Sequence, residues 1–573
     1  MRALRVAWAA FVAWFNARRL DENTILLVFA LAVGVAGALG VVVFFKLIDL
    51  AFVVLYSWPV RYIRGIDFPI YRPVVTAVGF AIAAWLARRF AGGEDGPKVP
   101  YVQLAVARRG GEVPTLAGTA HAAASAITLG SGGSAGSEGP TAVLGATFGS
   151  ALGRAFRFDA NRIKVLTGAG AAAGISAAFN APLAGAFFAL EEILGNFSIA
   201  AFPPVVVASV LAAVISRAVF GNHPSFPIPH EYGYALAREL VIFYPLLGVV
   251  GGLVAALFVR TQRFTGDVVR KLPLPAAALP WISGLVVGGM VLASGGMLVG
   301  YGHLAIRVQM FGGMAFWVLA LLTLGKILAT AITLNGGGSG GLFTPSLYIG
   351  AVMGGAFGVG MAHLFPSLNL SPEAYGLVGM GCMVAAATHA PITAILLVFE
   401  MTNDYAIVIP LMLAVVVAYL VERAVEPESL YTLWLTRRGE RLEHGADRDV
   451  LAHLPVSGAY EPHPRIIPEA APVAELVLYL GSGEQTEFPV VDAAARLVGV
   501  ITLADLARVA QNQEDLAQLL VAADIAQPTE SVTPEQSLLE ATRRMGVRGT
   551  GSLPVLDAAG RLRGLVTRAH VLA

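Results

Sequence analysis

A single cysteine, Cys382, stands among 573 residues, and only 13% of the side chains carry charge. One thiol excludes an internal disulfide framework and any metal site built from several cysteines. Soluble domains carry about 25% charged residues. A chain with half that fraction and 56% hydrophobic residues belongs in lipid rather than water. An excess of one sign of charge is also missing, since 39 Lys and Arg face 38 Asp and Glu for a net +1. That excludes the basic surface of a nucleic-acid binder. No nucleophile and base pair stands out, no ligand set for a metal, and no glycine loop ending in Lys-Ser/Thr. The chain does not read as an enzyme, and no metal site is expected.

What is present is unevenly arranged. From Leu454 onward there are 14 acidic and 9 basic residues, a balance of −5, while the preceding residues hold 24 acidic and 30 basic, a balance of +6. Two kinds of material are joined. In the first, charge-free stretches recur at residues 24–45, 165–190, 193–216, 374–399 and 405–421, near the roughly 20 residues that a helix needs to cross a bilayer. The stretch 327–372 is too long for one crossing and contains Gly336, Gly337, Gly338, Gly340 and Gly341. It reads as two membrane segments separated by non-helical backbone, which a bilayer tolerates only where protein or water satisfies the freed amides. Residues 1–22 begin with Arg2 and Arg5 before a short apolar run closed by Arg18 and Arg19. A signal peptide and a cationic amphipathic helix on the cytoplasmic surface both fit; the span that follows at once favours the helix.

Internal repeats give the strongest organisation. AFNAPLAGAFFALE resembles ATHAPITAILLVFE, with Pro182 and Pro391, and Glu191 and Glu400, each 209 apart. Upstream, Pro140 matches Pro345, and Gly145, Gly149 and Gly153 match Gly350, Gly354 and Gly358, all 205 apart. Paired Gly/Pro-interrupted segments in two halves of a membrane chain predict a transporter of structural repeats, with its site where the interrupted helices converge. Small-residue helix packing also enriches glycine, but does not by itself explain two motifs repeated in the same order. The tail has its own repeat: EFPVVDAAARLVGVITLADL and SLPVLDAAGRLRGLVTRAHV align Pro489 with Pro554 and Asp492 with Asp557 at a 65-residue offset. Each copy predicts strand, turn, strand and helix start, hence two small α/β modules packed as a pair.

The run GSGGSAGSEGP at 130–140 places Ser137, Glu138 and Gly139 just before a proline that suits a first helical turn. Free amides and the partial positive charge of a helix start bind anions without a cationic side chain. Gly340, Gly341, Leu342, Phe343, Thr344 and Pro345 repeat the arrangement. If both starts converge at mid-membrane they make an anion site of backbone, and a low-charge pathway then follows, because weak multi-amide binding lets an anion leave. Glu138 would sit in such a site as a tethered surrogate when ionised and leave when protonated; alternatively it complements a helix dipole. Ionisable groups at membrane depth are usually functional, which favours gating or proton exchange. Glu191 and Glu400 are mates in the repeat and read as structural helix-end residues. Glu192 has Met401 at the matching place, and is the better proton relay from the cytoplasm.

Together GSEGP at 136–140, GAAAGISAAFNAPLAG at 170–185, GGLFTP at 340–345, HAPITAILLVFEMTNDY at 389–405 and SLYTLWL at 429–435 resemble the CLC family of chloride channels and proton/chloride antiporters. The tail resembles a pair of CBS domains. The resemblance implies a polytopic α-helical membrane protein with an inverted structural repeat, followed by a cytoplasmic α/β CBS pair, in a homodimer with one pathway per subunit. It implies that Glu138 is the external gate, that Glu192 is the internal proton-transfer residue, that the Leu342 and Phe343 amides hold the central anion, and that the Tyr431 hydroxyl donates to it. Ser137, Gly139 and Gly341 complete the implied anion-binding set. The implied boundaries are a surface helix at 1–22, a membrane domain at 23–435 with repeats near 23–220 and 235–435, a linker at 436–453, and CBS modules at 454–515 and 516–573. The implied location is a bacterial inner membrane, with the N-terminus and the CBS pair cytoplasmic.

Two departures from the family pattern matter. GPKVP at 96–100 stands where GSGIP is usual, so Pro97 replaces an anion-coordinating serine and Lys98 follows it. Proline there goes with nitrate preference in plant members, which leaves open chloride or another small monovalent anion. The Lys98 ammonium either snorkels to the cytoplasmic mouth or binds anions itself. Ser137 replaces the arginine of GREGP, removing a positive charge beside the gate. In the tail, Gly499, Thr502 and Asp505 fit a Gly-x-x-Thr-x-x-Asp adenine-nucleotide segment, whereas the second copy keeps Gly564 and Thr567 but has His570 for the acid. Nucleotide binding at one site and a purely structural dimerisation role both follow. The expected function is anion/proton antiport; a passive Glu138-gated channel is the alternative, and a nucleotide-responsive membrane sensor comes from a different class.

Overall fold

The computed structural model describes residues 22–57, 71–93, 96–221, 239–300, 303–310, 313–440, 454–476, 485–512, 520–548, 550–567 and 570. The surface helix expected over 1–22 lies outside them except for Glu22, as does most of the 436–453 linker. The chain divides into two compact units, Met1–Leu442 and Glu443–Ala573.

Among the described residues of the first unit, eight α-helices of one half precede eight of the other. The first half holds α1 (Glu22–Phe52), α2 (Arg72–Phe90), α3 (Val99–Arg108), α4 (Thr115–Gly130), α5 (Glu138–Ala155), α6 (Ala160–Phe179), α7 (Pro182–Phe188) and α8 (Phe202–Phe220). The second holds α9 (Tyr244–Lys271), α10 (Leu279–Ala293), α11 (His303–Met310), α12 (Phe316–Asn335), α13 (Phe343–Leu364), α14 (Pro372–Thr388), α15 (Pro391–Thr402) and α16 (Val408–Val425). A short α17 (Thr432–Thr436) closes the unit. Among the described residues seven helical segments are long and apolar enough to cross a membrane: Thr24–Ser57, Arg72–Phe90, Phe202–Phe220, Val241–Lys271, Phe316–Asn335, Phe343–Leu364 and Tyr405–Val425.

Three charge-free stretches are not single crossings. Residues 165–190 break at Asn180, which caps α6 in the left-handed region (φ 58°), before Pro182 starts α7. Residues 374–399 break in the same way at His389 (φ 66°) before Pro391. Residues 193–216 begin at the end of the π-helical turn Ala189–Ile193, run through a loop, and enter α8 only at Phe202. Proline disfavours α backbone in the residue before it, and an asparagine or histidine in the left-handed region ends a helix. Hydrophobicity measures depth in lipid; local backbone chemistry decides where helices stop.

Pattern and packing invert the soluble rule. On α1, Val28, Leu31, Val35 and Leu39 face outward while Ala30, Val33 and Val41 are buried. Lipid accepts the large apolar side chains, and close helix contact selects small ones inside. A Cβ on Gly145 would lie 2.0 Å from the Gly170 carbonyl oxygen, and one on Gly350 2.2 Å from that of Gly379. Thus α5 packs backbone to backbone on α6, and α13 does so on α14. These glycines of the 205-residue repeat serve packing.

Glu191 and Glu400 exchange caps across the repeat. The Leu183 and Ala184 amides of α7 donate to Glu400 at 2.9 and 2.8 Å, and the Ile392 and Thr393 amides of α15 donate to Glu191 at 3.2 and 2.8 Å. Each carboxylate satisfies amides that a helix start leaves free.

In the second unit, β1 (Ile467–Pro468) lies parallel to β2 (Glu487–Val491), which pairs antiparallel with β3 (Leu497–Thr502); β4 (Ser552–Leu556) pairs antiparallel with β5 (Leu562–Thr567). The irregularity at Val490/Val491 recurs 65 residues on, at Val555/Leu556. The lead-in segments are exchanged, since Val500 bridges Gln527 while Leu565 bridges Glu461.

Candidate anion site

Two glycine loops face each other. The Gly136 amide donates to the Gly341 carbonyl at 2.8 Å, and the Gly341 amide returns the bond to Gly136 at 2.7 Å. Around this pair the bonds recur at the 205-residue offset. The Ser134 amide donates to Thr333 Oγ1 at 3.2 Å, and the Ser339 amide to Thr128 Oγ1 at 3.0 Å. Ser134 Oγ meets Thr330 Oγ1 at 3.0 Å, and Ser339 Oγ meets Ser125 Oγ at 2.8 Å. The helices before the loops, α4 and α12, therefore hold the starts of α5 and α13 head to head. A Cβ on Gly341 would stand 2.7 Å from the Gly139 amide nitrogen. Only glycine fits there.

Symmetry fails at the centre. Glu138 opens α5, and the residue 205 further on is Phe343, opening α13. The Glu138 side chain is buried, with its carboxylate between the two helix starts. Oε1 accepts from the Ser137 amide at 3.2 Å and the Ser137 hydroxyl at 3.1 Å, while Oε2 accepts from the Thr344 amide at 3.1 Å. Phe343 lies against Phe179 and Phe188, with ring centroids 6.0 and 6.1 Å away. The second-half amide that reaches the carboxylate belongs to Thr344, which the sequence did not single out.

Gly139, Gly341, Leu342 and Tyr431 line a cavity of about 120 Å³, whose wall also includes Lys98, Val99, His121, Gln262, Asn335, Ser339 and Arg437. Tyr431 is buried and lies within charge–charge reach of both Glu138 and Glu192. The Leu430 amide, bonded to the Ala387 carbonyl at 2.9 Å, ties its loop to the end of α14. Lys98 is the residue before α3, and Pro97 is not part of the cavity wall.

Glu192 sits in the π-helical turn Ala189–Ile193 after α7. That turn splits two adjacent carboxylates: Glu191 caps α15, whereas Glu192 is buried and its Oε2 accepts from Gln103 Nε2 at 2.9 Å. Gln103 lies one turn beyond the cavity-lining start of α3, so one helix touches both the cavity and Glu192. Gln103 and His121 escaped sequence reasoning because single polar residues in apolar helices carry no local pattern. Matching His121 with Lys326 across the 205-residue repeat would have drawn attention to both.

In the second unit, Thr502 and Asp505 cap one another: Thr502 Oγ1 donates to Asp505 Oδ2 at 2.7 Å. A Cβ on Gly499 would lie 2.8 Å from the Gln527 carbonyl oxygen. In the other module the His570 amide donates to Thr567 Oγ1 at 3.2 Å.

Head-to-head interrupted helices in an inverted repeat, with a cavity beside them, define a multi-pass membrane protein of the anion-transport class. The chain belongs to the voltage-gated chloride channel family: residues 79–423 match its model, and residues 456–512 and 522–573 each match the CBS domain. Its relatives include a ClcB-like protein of Ralstonia nicotianae described as a chloride channel protein, 34% identical over 62% of this chain and 81% of that one. Another is the H(+)/Cl(-) exchange transporter ClcA of Vibrio parahaemolyticus, 32% identical over 54% of this chain and 67% of that protein. Among solved structures, a slow cyanobacterial Cl−/H+ antiporter superposes with TM-score 0.64 at 27% identity, covering 73% of this chain and 98% of that one. A eukaryotic CLC transporter shares the fold over 95% of this chain and 97% of its own, with TM-score 0.63 at 20% identity.

Proposed function

We infer that this protein exchanges chloride, or a similar small monovalent anion, for protons across a membrane. The observation that carries the reading is the Glu138 carboxylate held by amides from both helix starts. Ionised, it occupies the place of an anion; protonated, it no longer competes for those amides, and an anion enters. Glu192, held by Gln103 beside the cavity, relays protons from the opposite side, and the Tyr431 hydroxyl and the Leu342 and Phe343 amides hold the passing anion. A homodimer in a bacterial inner membrane, with both chain ends cytoplasmic, fits this scheme, and Gly499, Thr502 and Asp505 would hold an adenine nucleotide.

Purified protein in liposomes tests the reading, with chloride, bromide, nitrate and fluoride flux recorded together with lumenal pH. Anion movement should drive protons against their gradient, and flux should rise as pH falls because protonation empties the site. Glu192→Gln should abolish proton movement while anion flux persists, and Glu138→Gln should make anion flux independent of pH. Wild-type flux with no proton movement identifies a passive channel instead. Tight nucleotide binding without flux identifies a sensor.

A further inference from the structure

The two halves tie one helix end to another at matching places, but with different residues. Asn180 and His389, 209 apart, both end a helix in the left-handed region, the first α6 and the second α14. The segments that close α8 and α16 also match, Ser216-Arg217-Ala218-Val219 with Glu422-Arg423-Ala424-Val425, 206 apart. In the first half the Arg217 guanidinium donates to Asn180 Oδ1 at 2.6 Å, and the Ser216 hydroxyl to the Ala177 carbonyl at 2.6 Å. In the second half Arg423 instead donates to the Tyr419 hydroxyl at 2.7 Å, and the tie passes to Glu422, whose Oε2 lies 2.7 Å from His389 Nε2.

Stability alone does not account for a carboxylate here. The Glu422 side chain is fully buried, while that of His389 keeps 19% of its surface exposed, and Glu422 Oε1 has no hydrogen-bond partner among the described residues. A buried carboxylate with one oxygen unsatisfied is a costly way to join two helices, and Ser216 does the matching work without charge. What the second half has in addition is Tyr431. Beyond α16, residues 426–431 lead into the cavity wall, to which Leu430 and Tyr431 belong. Arg260 and Arg263 of α9 hold Glu426 at 3.2 and 2.7 Å, and the Ala387 carbonyl that accepts from the Leu430 amide lies two residues before His389. The segment from Glu422 to Tyr431 is therefore clipped twice to the end of α14, at His389 and at Ala387.

We propose that His389 and Glu422 are positioning residues for Tyr431. Their hydrogen bond fixes the end of α14 against α16, and Ala387 passes that register to Leu430 and so to the tyrosine hydroxyl beside it. The role rests on the reading that Tyr431 holds the passing anion, and a Tyr431 variant tests that reading by itself.

The test is calorimetric titration of detergent-solubilised full-length protein with chloride, in the Glu138→Gln background that frees the helix ends of their carboxylate. His389→Asn with Glu422→Ser gives the second half the residues of the first, so the tie is lost without stranding a buried charge. That double change should weaken chloride binding by about three- to tenfold, as the loss of one hydrogen bond does. Tyr431→Phe should weaken binding by a similar factor, and the double change made on top of it should cause no further loss, whereas a general loosening of the fold would. Glu422→Gln, which keeps a hydrogen-bonding group at the same reach, should stay within about twofold of its parent. If the double change does not fold, Glu422→Ala takes its place. Unchanged affinity in the double change, a loss as large in Glu422→Gln, or the same loss again on top of Tyr431→Phe overturns the positioning role and leaves the anion reading of Tyr431 standing. Unchanged affinity in Tyr431→Phe overturns that reading and this role with it.

Discussion

Position 138 bears a carboxylate and its mate, position 343, a phenyl ring, within a frame whose surrounding hydrogen bonds are otherwise paired at one offset. A symmetric frame with a carboxylate at its centre on one side only gives the two halves different chemistry. The frame depends on close backbone approach. Gly341→Ala would drive a methyl to 2.7 Å from the Gly139 nitrogen and 3.2 Å from Glu138 Oε2, and overpacking of this kind costs about 1–3 kcal/mol. The expected result is folded protein with a lowered thermal midpoint and anion binding at the helix ends lost, read by calorimetry in the Glu138→Gln background. Glu138 was legible because a carboxylate before Gly-Pro at membrane depth is rare. Thr344 was not: its amide matters for where it points, and every residue but proline has one.

At the scale of elements, the exchanged caps join α7 to α15. Replacing Glu191 or Glu400 with alanine strips two helix-start amides of their acceptor, which should lower stability by about 1–2 kcal/mol each. The two changes should add, because the caps act at separate helix starts. Thermal unfolding of the purified protein checks this, and an unchanged midpoint for both variants would leave the caps without energetic weight. The 209-residue repeat predicted that Glu191 and Glu400 are mates at helix ends. It did not show that each serves the other's helix, because a repeat fixes correspondence and leaves the symmetry axis undefined. The interruptions at Asn180 and His389 were hidden for a different reason. Residues 165–190 and 374–399 look continuous by hydrophobicity, and the break lies in two residues of left-handed backbone followed closely by proline.

For the whole molecule, the division of charge at the tail matches a division of material: a lipid-facing unit with small residues inside, and a second unit built of two exchanged α/β modules. Asp505 keeps its carboxylate on Thr502, while the second module has His570 in that place. One adenine nucleotide per chain is therefore expected on titration of the full-length protein, and Asp505→Ala should abolish it. Binding that persists in Asp505→Ala would assign the nucleotide elsewhere, and no binding in wild type would leave the pair a structural role.

Composition and repeats, read from the chain alone, determined the lipid environment, the two halves, the paired modules and the carboxylates at stake, because depth in lipid and internal similarity are written in residue type and spacing. Only the tertiary structure decided which amide meets Glu138, which of two adjacent glutamates faces Gln103, and that His121 opens on the cavity while Lys326 is closed off by carbonyls. The first depends on helices from opposite halves meeting head to head, some 200 positions apart in the chain, and the others on contacts between helices that no local pattern announces.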